Sequence, residues 1–166
     1  METLRYLLFK GRLFIYAFLA IAFSGALSFV LGRNVLAPAS LLIFFQLFIN
    51  RLTDDFFDRE KDEKKGKKVF PKETIQALLC LFCIFYVVVN LYLYSFFGAL
   101  SLMLILLAFI QEKLETLQMF SGDISALYYL CAYRKPGEFG IREAVFLLVL
   151  LLASVLFGIM KRRKSL

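Results

Sequence analysis

The chain has 166 residues, of which 61% are hydrophobic and 17% aromatic, and its mean hydropathy is +0.75. Soluble domains are about half apolar, so this composition excludes an ordinary soluble domain and indicates an integral membrane protein. The formal net charge of +7 does not indicate a nucleic-acid partner, because the basic residues lie at the ends of apolar runs, where membrane orientation requires them.

The apolar runs predict a bundle of transmembrane helices, since a helix needs about 20 residues to cross a hydrocarbon core of about 30 Å. The fifth run carries Gln118 and Asp123, and we expect it to cross the membrane or to re-enter it. Residues 1–166 are thus predicted to form a single all-α transmembrane domain with five or six spans and a charged loop at 50–74. In chain order the expected spans are residues 13–32, 35–49, 75–97, 99–115, 117–133 and 144–160.

Lysine and arginine residues predict the orientation, because they collect on the cytoplasmic side of a membrane. The bases within residues 5–12 place the N-terminus inside, and the eight bases from Arg51 to Lys72 place the charged loop inside as well. The basic run at 161–164 is expected inside, so an even number of crossings lies between these two segments. This topology leaves three bases outside: Arg134, Lys135 and Arg142.

The charged stretch after the second span is the part of the sequence that indicates chemistry. Asp54, Asp58 and Asp62 recur every four residues, which sets them on one face of a helix, and Asn50 extends the row by one turn. Carboxylates this close repel one another unless a cation lies among them. Mg²⁺ takes oxygen ligands and is often held by one or two carboxylates and the phosphates of a substrate. The row therefore predicts a site for a magnesium diphosphate.

The surroundings of the row suit an isoprenoid diphosphate, because bases lie beside it and phenylalanines flank it. An alternative stays open, in which the stretch is only a solvated helix at the membrane edge. Arg51 with Asp55, and Glu60 with Lys64, would then be exposed pairs four residues apart, each contributing a few tenths of a kcal/mol.

Three segments follow one another in this stretch: RLTDD at 51–55, DDFFDREKD at 54–62 and KKVFPKE at 67–73. Together they resemble the first aspartate motif of the UbiA superfamily of intramembrane prenyltransferases. That motif reads Asn-Asp-x-x-Asp-x-x-x-Asp after the second span, and here Asp54 replaces the asparagine. The first segment resembles an Arg-x-x-Asp-Glu lead-in found in some members, and the third resembles the basic-proline segment that leads into the third span.

The resemblance implies that Mg²⁺ acts as a Lewis acid while the allylic C–O bond of a prenyl diphosphate ionises, and that an aromatic or lipid acceptor captures the prenyl group. It implies catalytic roles for Asp54 and Asp58. The implied metal ligands are Asp54, Asp55, Asp58 and Asp62, and the implied diphosphate contacts are Asn50, Arg51, Arg59 and Lys68.

The family carries further spans and a second aspartate motif after its sixth span, and the sequence ends where that motif is expected. We therefore expect a prenyltransferase or the N-terminal part of one, with a homo-oligomer or a second membrane subunit supplying the missing motif. Two alternatives stay open. One is a non-catalytic or truncated membrane protein that binds lipid or a partner subunit, and the other is a transporter, whose usual mark is a charged residue within a span.

Overall fold

The computed structural model describes residues 13–66, 69–111, 114–134 and 140–164, and every regular element in these ranges is a helix. The all-α prediction is confirmed for this part of the chain. The elements are α1 (Leu13–Leu31), α2 (Leu36–Phe57), α3 (Arg59–Lys64), α4 (Lys72–Tyr94), a 3₁₀ helix (Ser95–Leu100), α5 (Ser101–Gln111), α6 (Glu115–Tyr133) and α7 (Ile141–Lys164).

Four of the described helices are long and apolar enough to cross a membrane: Leu13–Leu31, Leu36–Phe57, Lys72–Tyr94 and Ile141–Met160. The end of the 3₁₀ helix and α5 together form a further apolar helical segment, Gly98–Gln111, which is shorter than these four. Large apolar side chains such as Phe29, Leu81 and Leu148 point outward from the bundle. An apolar surface of this extent suits lipid rather than water, which fits a membrane protein.

The connection between α1 and α2 is a tight helix end built on a glycine. Gly32 has a φ of +64°, and its N–H donates to the Phe29 carbonyl while that of Arg33 donates to the Ser28 carbonyl, each at 3.3 Å. This is a Schellman motif, in which a left-handed residue satisfies the last carbonyls of a helix. The chain reverses there, so the end of α1 and the beginning of α2 lie on the same side of the bundle.

Helix α2 lies at the centre of the bundle, packed against α1, α4 and α5. Leu42, Phe48 and Leu52 are fully buried along it. Aromatic rings join α2 to α4, with the centroids of Phe48 and Phe82 4.8 Å apart. Because α2 is held on several sides, the side chains at its charged end are carried by a rigid element.

Helix α6 packs against α5 and α7 and lies antiparallel to α2. The antiparallel direction follows from two contacts. Gln46, near the middle of α2, bonds to Ser125 of α6, and Arg134, just after α6, donates to the carbonyl of Leu31, just before α2 begins. The end of α2 at Phe57 and the beginning of α6 therefore lie on the same side of the bundle.

Candidate functional site

The candidate site is the acidic end of α2, which we define as Arg51, Asp54, Asp55, Asp58 and Asp62. The chain bends at Asp58, between α2 and α3. The Asp58 N–H still donates to the Asp54 carbonyl and the Asp62 N–H to the Asp58 carbonyl, both at 2.9 Å. The spacing of one turn between these aspartates thus continues past the end of α2.

Arg51 holds the first two carboxylates of the acidic end. Its Nη1 lies 2.7 Å from Oδ2 of Asp54, and its Nη2 lies 2.7 Å from Oδ1 of Asp55. The Asp55 side chain is 3% exposed and that of Arg51 is 22% exposed. The pair between Arg51 and Asp55 is therefore largely buried, unlike the exposed pair that a solvated helix would contain.

The remaining charged groups lie further from the core. Lys61 Nζ lies 2.8 Å from Oδ1 of Asp58, in a pair whose side chains are 74% and 42% exposed respectively. Arg59 donates from Nε to the Phe70 carbonyl at 3.2 Å, and Lys72 lies over the ring of Phe56. These contacts hold α3 and the start of α4 against the end of α2. Lys68, an implied diphosphate contact, lies outside the described residues.

The donor set suits Mg²⁺ by its chemistry, because carboxylate oxygens are the ligands that this ion prefers. The side chains of Asp54 and Asp58 remain 36% and 42% exposed, so both are accessible from outside the bundle. Within the described ranges, no three acidic, cysteine or histidine side chains form a group that could hold a metal ion. Arg51 supplies the positive charge between Asp54 and Asp55, so an incoming cation would compete with its guanidinium for Asp54.

The sequence interpretation missed a set of polar side chains inside the bundle next to the acidic end. Asn50, an implied diphosphate contact, lines a pocket together with Gln46, Ser125 and Tyr129. The spacing in the sequence could have revealed this set, because Gln46 lies four residues before Asn50 and therefore extends the row of Asn50 and Asp54 by one more turn. Read from Gln46, the row changes from uncharged amides within the bundle to carboxylates at its edge.

No family model, curated protein or solved structure matches the chain. The likeness to the first aspartate motif of intramembrane prenyltransferases therefore rests on the residues themselves, and membership of that superfamily stays a prediction.

Proposed function

We propose that the chain binds a prenyl diphosphate at the acidic end of α2 and transfers its prenyl group to an aromatic or lipid acceptor. The observation that carries the proposal is the placement of two partly exposed carboxylates, Asp54 and Asp58, one helical turn apart beside the guanidinium of Arg51. A polyanion with an apolar tail fits this place, because charged groups end α2 and large apolar side chains face outward on the helices around it.

The chain's own residues would have two tasks in binding. Asp54, Asp58 and Asp62 would have to turn toward one another to hold Mg²⁺, because no three of the described acidic side chains are already grouped for a metal ion. The bound ion would neutralise the charge of the diphosphate leaving group. Arg51 and Arg59 would bind phosphate oxygens, for which a guanidinium offers paired N–H donors. Arg51 would then exchange at least part of its contact with Asp54 for the substrate.

The test is a binding titration of the full chain in lipid nanodiscs with farnesyl diphosphate, in Mg²⁺ and in EDTA. We expect saturable binding that requires Mg²⁺ and is lost in Asp54→Asn/Asp58→Asn. The matched control is Glu60→Gln/Glu63→Gln, which removes the same charge from exposed positions of α3 outside the row and should still bind. Equal binding by both double variants, or binding that EDTA does not change, would contradict the proposal.

A second candidate is a non-catalytic membrane protein that binds lipid or a partner subunit. The observation that favours it is the closed arrangement of Arg51 with Asp54 and Asp55, which needs no added cation. The two candidates differ in whether the allylic C–O bond of bound farnesyl diphosphate breaks, so that the farnesyl group passes to an added aromatic or lipid acceptor, or to water, and inorganic diphosphate is released. Release supports transfer; binding without release, by the chain alone and after co-expression with candidate membrane subunits, supports the second candidate.

A further inference from the structure

A pocket of about 260 Å³ lies inside the bundle between α1, α2 and α6. Its lining combines apolar side chains, such as Leu19 and Phe23, with the amides of Gln46 and Asn50 and the hydroxyl groups of Ser125 and Tyr129. None of the residues that line it is charged. The pocket is therefore distinct in chemistry from the acidic end of α2, although Asn50 lies only one helical turn before Asp54.

The polar wall of the pocket is held in place by hydrogen bonds. The Tyr129 hydroxyl donates to Oε1 of Gln46 at 3.0 Å and shares a further hydrogen bond of 2.9 Å with the Tyr86 hydroxyl. Nε2 of Gln46 donates to the Ser125 hydroxyl, which donates in turn to the Ser121 carbonyl. Tyr86 and Tyr129 are fully buried, so this wall is fixed before any ligand arrives.

The same network leaves one donor for a ligand. An amide nitrogen carries two hydrogens, and one of those on Gln46 is used by Ser125. Among the described hydrogen bonds, the second has no partner. Inside an apolar bundle a free N–H is unfavourable unless an acceptor reaches it. An oxygen of a bound molecule would satisfy it.

We infer that this pocket binds the head group of a neutral amphiphile, an uncharged ring of phenol or quinone type whose oxygen accepts a hydrogen bond from Gln46. A charged head group is disfavoured because no charged side chain lines the pocket to compensate it. The volume fits a substituted ring, since a cavity of about 150 Å³ already holds benzene. The tail would leave between α1 and α6, which have few contacts with each other. This inference does not depend on prenyl transfer.

The test uses a tryptophan as a reporter, because the chain has none of its own. In the Leu19→Trp variant in nanodiscs with EDTA present, we would titrate 4-octylphenol, octylbenzene and ionised 4-octylbenzoate. We expect a saturable fluorescence change with the phenol, and affinities about three- to tenfold weaker for octylbenzene, as the loss of one hydrogen bond predicts. The benzoate should bind more weakly still. The titration contains EDTA and no diphosphate, so its result does not depend on whether the acidic end of α2 binds Mg²⁺ and a prenyl diphosphate.

Two isosteric variants locate the ligand. Tyr129→Phe removes the hydroxyl that donates to Oε1 of Gln46, so the Gln46 amide is held less firmly toward the ligand and phenol binding should weaken about three- to tenfold. Tyr128→Phe removes the hydroxyl of a neighbouring buried tyrosine that bonds instead to Asn90 at 2.7 Å, and should leave binding unchanged. Thermal unfolding of the chain without the reporter gives a second readout, since a ligand that binds only the folded state raises the unfolding midpoint. Equal affinity for all three compounds, equal effects of the two variants, or no saturable signal in either readout would overturn the inference.

Discussion

At the scale of single residues, Arg51 decides how the acidic end of α2 is organised. One guanidinium contacts two carboxylates, one of them almost fully buried, at a helix end where the charges would otherwise repel. A buried ion pair adds little net stability, but removal of one partner leaves an uncompensated charge and is costly. The role of Arg51 in folding can therefore be separated from any role in ligand binding.

We predict that Arg51→Leu lowers the free energy of unfolding by about 2 to 3 kcal/mol, near the low end for a buried pair because Arg51 is partly exposed. Adding Asp55→Asn should recover part of this loss, since the buried negative charge that Arg51 compensates is then removed as well. Lys61→Ala, which breaks an exposed pair, should cost less than about 1 kcal/mol. Unfolding by SDS in mixed micelles measures all of these variants. Losses of equal size for Arg51→Leu and Lys61→Ala would contradict the assignment of a buried pair.

The sequence predicts the row of aspartates but not the partners that the aspartates take. The spacing of four residues is sufficient to place Asp54, Asp58 and Asp62 along one side of a helix, because helical geometry is local. The ion pair between Arg51 and Asp55 could be exposed to water or buried in the bundle. Which of the two occurs depends on which face of α2 turns toward the other helices at its charged end. That choice is made by the helices packed around α2 and is not contained in the stretch itself.

At the scale of elements, the turn between α4 and α5 depends on a close approach of two backbones. A Cβ added to Gly98 in the 3₁₀ helix would overlap the carbonyl of Asn90 and the amide nitrogen of Leu91. The sequence has no charged residue between the expected spans 75–97 and 99–115, but it does not show that the chain folds back there onto the last turns of α4. Because this contact joins two backbones, the only sign of it in the sequence is the glycine itself.

We predict that Gly98→Ala lowers the free energy of unfolding by about 1 to 3 kcal/mol, because the atoms it would overlap belong to the backbone and cannot rotate away. The matched control is Gly25→Ala in α1, where an added Cβ meets nothing within 4 Å. That substitution should leave stability unchanged or raise it by up to about 1 kcal/mol. The same SDS titration compares the two. A Gly98→Ala chain as stable as Gly25→Ala would mean that the 3₁₀ helix does not pack on α4 in this way.

At the scale of the whole molecule, α6 connects the two ends of the bundle. It begins on the side of the acidic end of α2, and Arg134, just after it, donates from Nη2 to the Leu31 carbonyl at 3.4 Å, at the end of α1. Its 19 residues extend about 28 Å, close to the thickness of a hydrocarbon core. Hydropathy alone leaves this helix ambiguous because its polar side chains, such as Ser125 and Tyr129, face the interior of the bundle.

Arg134 is one of the three bases, with Lys135 and Arg142, that the predicted topology places on the outer side of the membrane. In the structure its Nη2 lies 2.8 Å from Oε1 of Glu143, whose side chain is 2% exposed. This contact gives Arg134 a structural reason to lie at the end of α6, and the positive-inside rule depends on the bias in lysine and arginine over all loops rather than on one base. The ion pair also fixes the end of α6 to the beginning of α7. The geometry of the bundle therefore favours a crossing by α6 over re-entry.

We predict that exposed sites on the two sides of α6 face opposite sides of the membrane. In a background where the native cysteines are replaced by alanine, single cysteines would be placed at Asn34, Lys64 and Ile141, all of them exposed. A membrane-impermeant maleimide should label Asn34→Cys and Ile141→Cys from one side of sealed vesicles and Lys64→Cys only from the other. If α6 instead re-entered, Ile141→Cys would be labelled together with Lys64→Cys. In that case both ends of α6 would lie on the same side of the membrane as the acidic end of α2. Arg134 and Glu143 could then not lie beside the end of α1, as they do in the structure.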